Sequence, residues 1–217
     1  MSPRQNGRLE ARRERILEEG KRLFLSKGYA GASVNEIVRL AGGSLATLYG
    51  EFGSKEALFA EIMRQRAHIM YGWDDAECFK QKTPRDALRT LARRLLDRAL
   101  SEESLALYRI AISEGPRFPE LRHAVLEDSF PLFLKSLGDA LVALRIATTK
   151  DSGALAEEFL SLLHGQWVFR AACTGEHAIS TKCRVEHIAN VVEAFLSLHP
   201  ARSAPRRRRL RAGAQVS

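Results

Sequence analysis

Residues Ser33–Lys55, SVNEIVRLAGGSLATLYGEFGSK, carry most of what the sequence says about fold. Ser33 opens a short helix, with Glu36 three residues later in the form of a capping box, where hydroxyl and carboxylate satisfy each other's free N–H groups. Val34, Ile37, Val38 and Ala41 give that helix one apolar side, and Gly42-Gly43 ends it. Ser44 then caps a second helix, Leu45 to about Glu51, with Leu48 and Phe52 facing inward. Two helices of about eight residues joined by a Gly-containing turn make a helix-turn-helix. The outer side of the second helix carries Leu45, Ala46, Thr47 and Gly50, all small or short, so it fits a major groove about 12 Å wide. Thr47 suits a base edge or phosphate, Ala46 a thymine methyl, and Tyr49 a phosphate oxygen. At Lys55 an ammonium and the free N–H groups of a new helix face the same direction, an arrangement suited to an anion.

Outward from this stretch, the chain reads as all-α. Strand-like alternation is absent, and Pro and Gly fall where helices end. A first helix is expected from about Leu9 to Lys27, with Ile16, Leu17, Gly20, Leu23 and Phe24 as its stripe and Gly28 as its stop. Ser54 caps a helix to about Tyr71. Thr83-Pro84 opens another, with Leu88, Leu91, Leu95 and Leu96 on its buried side. Ser101 opens the next, and Gly115-Pro116 closes it. A long helix from Phe118 to about Ile146 is bent or interrupted at Pro131. Gly153–Thr174 and Cys183–Leu198 follow. This organises the chain into a helix-turn-helix domain over residues 1–66 (motif about 33–52), a helical body over 67–200, and a basic tail over 201–217 that is expected to be disordered.

With 217 residues, 45% of them hydrophobic, the chain can bury a substantial core. The net charge of +8 divides unevenly: 12 basic against 8 acidic residues in 1–66, 16 against 18 in 67–200, and 6 against none in the tail. Positive ends on a slightly acidic body suit a polyanion. No apolar run reaches the roughly 18 residues of a membrane span, and nothing resembles a secretory signal. Three cysteines without a CxxC pattern point to a reducing, cytoplasmic setting and no disulfide framework. Cys173/His177 and Cys183/His187 share an i, i+4 spacing, but Thr174-Gly175 separates the members of the first pair, so neither a metal nor another cofactor is expected. GxSxG, GKS/T and HExxH are all missing, and no enzyme activity is expected.

From Arg15 to Met63 the sequence resembles the tetracycline-repressor (TetR) family. RILEEGKRLFLSKGYAGASVNEIVRLAGGS is similar to that family's first two helices and turn, and LATLYGEFGSKEALFAEIM to its recognition helix and linking helix. The resemblance implies base contacts at Thr47 and phosphate contacts at Tyr49 and Lys55. Ser33, Ser44, Leu45, Ala46 and Gly50 complete the expected DNA-facing set. Two positions depart from the family pattern. Leu45 stands where lysine is common, and Glu51 where a neutral or basic residue is common; both lower the intrinsic affinity or shift contacts towards apolar readout, and neither removes the scaffold. More loosely, LALYRIAISEGPRFPELRHAVLEDS and ALAEEFLSLLHGQWVFRAACTG resemble the C-terminal domain of an efflux-regulator-like subgroup.

That resemblance implies a ligand-responsive regulator that binds a pseudo-palindromic operator as a homodimer and is released by a small, largely apolar effector. Tyr108, Ile112, Phe130, Phe133, Trp167 and Arg170 are the candidate effector-pocket residues. In Leu155–Phe169, Phe159, Leu162 and Phe169 mark one apolar face, while Leu160, Leu163, Trp167 and Ala171 mark another. Two such faces need two burial surfaces, either one within the subunit and one across a dimer, or both within a monomeric core that the helix runs through. The competing expectation is a helical small-molecule-binding protein whose helix-turn-helix is vestigial.

Overall fold

A computed structural model describes residues 3–71, 83–175 and 180–201. Every regular element among them is a helix: α1 Pro3–Gly31, α2 Val34–Ala41, α3 Leu45–Phe52, α4 Lys55–Tyr71, α5 Pro84–Ala99, α6 Glu102–Glu114, α7 Pro119–His123, a π-helical turn Ala124–Ser129, α8 Phe130–Ala143, α9 Ser152–Thr174 and α10 Thr181–Leu198. Residues 202–217 of the basic tail and His177 lie outside the described residues.

The expected stripe of α1 is its buried side, with Ile16, Leu17, Leu23 and Phe24 all within 2% of full burial. Gly20 belongs there because α4 crosses close by: a Cβ on it would sit 3.3 Å from both Ile62 and Leu58. The helix starts earlier than expected, at Pro3. Gly28 breaks it as expected, but a last turn resumes through Gly31. At the end of α2, Gly42 takes the left-handed conformation (φ 68°, ψ 36°), and the Gly43 N–H reaches back to the Val38 carbonyl at 2.9 Å. This reversal favours glycine because a side chain there would be strained.

The capping box at the start of α2 does not form. Ser33 has capping backbone geometry but its hydroxyl makes no capping bond. Glu36 instead accepts from Lys27 Nζ at 2.7 and 2.9 Å. A tertiary neighbour with a full positive charge outcompetes the local N–H for the carboxylate. The caps expected elsewhere are present: Thr83 accepts from the Asp86 N–H at 3.1 Å and Ser101 from the Ser104 N–H at 3.3 Å.

Two hydrophobic clusters organise the molecule. One gathers α1 to α4 around Phe24, Tyr29, Leu48, Leu58 and Phe59, and also takes in Leu107, Ile110 and Leu121 from the body. The other fills the body with Leu88, Leu91, Leu95 and Leu96 of α5, Leu137 and Leu141 of α8, Phe159, Leu160 and Leu163 of α9, and Val192 and Phe195 of α10. The expected 66/67 domain boundary falls inside α4, which runs on to Tyr71.

The long helix expected from Phe118 to Ile146 is divided. Pro131 cannot donate to the Glu127 carbonyl, and its ring crowds that turn, so the chain passes through the wider π turn before resuming as α8. An interruption that the sequence reading did not anticipate lies in α9. Gly165 adopts φ 43°, ψ −135° in mid-helix. His187 of α10 fits against this break, its Nε2 2.8 Å from the Leu163 carbonyl, with the Trp167 ring 5.5 Å away. Arg109 of α6 donates to the Ala171 and Ala172 carbonyls, holding the last turns of α9. Arg85 and Arg89 both reach Glu193, tying α5 to α10.

Candidate nucleic-acid interface

The second helix of the motif is anchored from beneath and open above. Leu48 is fully buried and Phe52 is 9% exposed, while Leu45 and Tyr49 are 38% and 48% exposed. Ala46, Gly50 and Glu51 are also exposed, and Thr47 is half-buried. A Cβ placed on Gly50 would meet nothing within 4 Å, so this side of α3 is flat and unobstructed. Ser44 Oγ accepts from the Thr47 N–H at 3.2 Å and lies 2.9 Å from the Thr47 hydroxyl, which fixes the rotor of the side chain expected at a base edge.

Positive charge around this surface comes from outside α3, whose one charged side chain is Glu51. Arg39 is exposed in the last turn of α2. Ser33, with its hydroxyl uncommitted to a cap, is exposed at the other end of that helix. Beyond α3, Ser54 caps α4 by accepting from the Ala57 N–H at 3.0 Å.

Lys55 starts α4 as expected, but its ammonium is tucked over aromatic rings, 4.5 Å from the centre of Tyr29 and 6.0 Å from that of Phe24. Burial lowers its pKa, and the nearby carboxylates of Glu56 and Glu114 oppose that shift. Tyr29 donates from its hydroxyl to Glu56 Oε1 at 2.8 Å. Burial, then this bond to a carboxylate, push the tyrosine pKa up. Burial works to raise the Glu56 pKa, but donors from its own backbone, Tyr29 and Ser54 outweigh it and bring the value down. The Tyr29 platform was missed by sequence reading. Its only signal is the aromatic directly after Gly28, which reads as loop once the glycine is taken as a helix stop.

The six candidate effector residues do not converge. Phe133 is buried in the body core, and Phe130 is 38% exposed with its ring 6.1 Å away. Tyr108 and Ile112 are 40% and 55% exposed on one side of α6, Trp167 packs against His187, and Arg170 is exposed. An open cleft of about 500 Å³ lies elsewhere, between α4 and the α7–π segment, lined by residues that include Ala57, Ala60, Glu120, Arg122, His123 and Asp128. None of the six lines it. On α9, Leu162 and Phe169 are 39% and 60% exposed, and on α10 Val185 and Leu198 are 49% and 66% exposed. Phe159, expected to share their face, is instead fully buried.

A capped helix with a buried apolar underside and an open outer face, set across a glycine turn from a second short helix, is the arrangement of a helix-turn-helix DNA-binding regulator. Residues 16–62 match the model for bacterial regulatory proteins of the tetR family, and residues 86–199 match that for the C-terminal domain of AefR-like transcriptional repressors. The chain therefore belongs to the tetR family of transcriptional regulators, which are DNA-binding proteins and not enzymes. The HTH-type transcriptional repressor AcnR of Corynebacterium efficiens is 27% identical over 154 residues, 70% of this chain and 73% of AcnR. A TetR-family regulator of Mesorhizobium loti superposes with a TM-score of 0.76 at 29% identity, covering 88% of this chain and 98% of the other. The flavonoid-responsive regulator FrrA superposes with a TM-score of 0.65 at 26% identity, over 87% and 97% of the two chains. No helix among the described residues is long and apolar enough to cross a membrane.

Proposed function

We infer that this protein is a ligand-responsive repressor that binds a pseudo-palindromic operator as a homodimer in the cytoplasm. The observation that carries the reading is the outer side of α3, where Leu45, Ala46, Thr47 and Gly50 stand clear over a buried Leu48. Thr47 and Ala46 meet base edges and Leu45 and Gly50 allow close approach. Ser33, Ser44, Tyr49 and Lys55 hold phosphates, with Lys55 swinging off the Tyr29 ring to do so. Glu51 accepts from a donor in the groove or stays in solvent beside it, since a carboxylate on a phosphate is repelled. The exposed apolar residues of α9 and α10 form the subunit interface, placing two α3 helices in successive major grooves. Repression is favoured as the sign of control because AcnR is a repressor.

A small, largely apolar effector in the body accords with FrrA being flavonoid-responsive. Tyr108, Ile112, Phe130, Phe133, Trp167 and Arg170 remain the proposed lining, assembled when the body adopts the effector-bound conformer and releases DNA.

Selection of bound sequences from random duplexes, followed by titration at several salt concentrations, tests the DNA reading. A two-fold-related consensus is expected, with affinity falling steeply as salt rises. Thr47→Ala should relax sequence preference, and Lys55→Ala should weaken all sites and reduce the salt slope by about 1 per subunit. Binding without sequence preference at low salt would favour the vestigial alternative.

A further inference from the structure

Where α6 meets the N-terminal helices, two opposite charges approach each other without pairing. Glu114 is the last residue of α6. Its carbonyl accepts from the N–H groups of Arg117 and Phe118, turning the chain so that the Phe118 ring lies 4.8 Å from Tyr29. Its carboxylate points back at the α1 kink, with Oε1 3.6 Å from where a Cβ on Gly28 would be. Oε2 is buried and has no hydrogen-bond partner. One residue further along α1, the Tyr29 ring carries the Lys55 ammonium, which makes no ion pair among the described residues. A buried carboxylate oxygen without a donor and a half-buried ammonium in contact with no carboxylate are each unfavourable; Glu56, the other carboxylate near Lys55, is engaged by the Tyr29 hydroxyl. Here each is the partner the other lacks.

Resting on the reading of Lys55 as a phosphate anchor, we propose that Glu114 competes with the operator phosphate for the Lys55 ammonium, and so sets how strongly the reading head holds DNA. Off DNA, the body carboxylate draws the ammonium inward. On DNA, the phosphate takes it, and Glu114 is left without its counter-charge. Glu114 is thus a positioning residue, acting on DNA only through Lys55. Because α6 also carries Arg109, which grips the end of α9, a shift of α6 within the body changes the distance between Glu114 and Lys55. Coulomb attraction varies inversely with that distance, so a small displacement alters the competition.

The test is fluorescence anisotropy of the whole 217-residue chain on a selected operator duplex at several salt concentrations, with Glu114→Gln, Lys55→Met and the double variant. Glu114→Gln should bind roughly three- to tenfold tighter at low salt, a gain of the size expected for one unscreened charge. In the Lys55→Met background the same substitution should change affinity by less than about 1.5-fold, since coupled residues lose their coupling when one is removed. Glu120→Gln removes a nearby exposed carboxylate and controls for general charge, with a smaller change that is equal in both backgrounds. Glu114→Ala provides the same comparison if the glutamine variant does not fold. Unchanged or weaker binding by a folded Glu114 variant overturns the proposal, as does an equal gain with and without Lys55. If Lys55→Met alone binds with wild-type affinity and salt slope, the phosphate-anchor reading itself falls, and the proposal with it. Loss of binding in Lys55→Met with no effect of Glu114→Gln would sink the competition alone.

Discussion

Replacing Leu48 by alanine isolates the anchoring of the reading head from its contacts with DNA. Leu48 is fully buried, and α3 has only one other buried side chain, Phe52. Truncating a buried leucine removes the transfer free energy of its methyl groups and leaves a cavity costing about 24 cal/mol per Å³, together about 2–5 kcal/mol. The surrounding cluster is stiff, because Phe24, Tyr29 and Phe59 pack on one another with ring centres 5.1 to 5.6 Å apart. Such a site collapses poorly, which places the cost at about 3–4 kcal/mol. For a chain of this size each kcal/mol lowers the melting temperature by roughly 2–4 °C, so a drop of about 6–16 °C is expected. An eight-residue helix has no stability of its own, so operator affinity should fall by at least about tenfold as α3 loosens. Thermal melting by circular dichroism and anisotropy on the operator read the two effects. A variant that melts within about 2 °C of wild type and binds normally would refute the view that Leu48 holds α3 in place.

Three further outcomes are expected. Phe169→Glu puts a charge into the exposed apolar strip of α9, and light scattering should find monomers with unchanged helicity; retained dimers would place the subunit interface elsewhere. Burial beside the Gly165 break lowers the His164 pKa to about 4, below its unfolded value of 6.5. The unfolded chain therefore binds the extra proton first, so stability is complete above about pH 6.5 and declines by up to about 2–3 kcal/mol as pH falls towards 4. Denaturant melts of wild type and His164→Gln across that range should show the decline in the former and a smaller one in the latter. Gly165→Ala meets open space but must hold φ 43°, ψ −135°, so it should cost roughly 1–3 kcal/mol in the same melts.

Features set by local chemistry were legible in the sequence. The α1 stripe, the Leu48/Phe52 underside of α3 and the caps at Ser44, Ser54, Thr83 and Ser101 depend on neighbours within a turn or two, and the structure has them all. What misled was tertiary competition. Glu36 matched a capping box by spacing, but Lys27 from α1 claims it. The α9 break was hidden because the apolar period runs straight through Gly165, and the partner that fits against it, His187, is 24 residues from the Leu163 carbonyl it meets. At the interface, residue types identified an exposed, small-surfaced helix correctly. They gave no sign that Lys55 rests on Tyr29, because cation and ring lie on different helices. Among the pocket candidates, aromatic character alone could not separate Phe133, which is core, from Phe130 and Tyr108, which face outward.

Leu107, Ile110 and Leu121 lie in the same apolar cluster as Leu48 and Phe59. The reading head is therefore not a self-contained module that can be cut at the end of α4 and transplanted. A hybrid joining these first helices to another regulator's sensing half would leave a socket shaped for three missing side chains. Exchange of specificities between such proteins has to carry the seat of α6 and α7 along with α3.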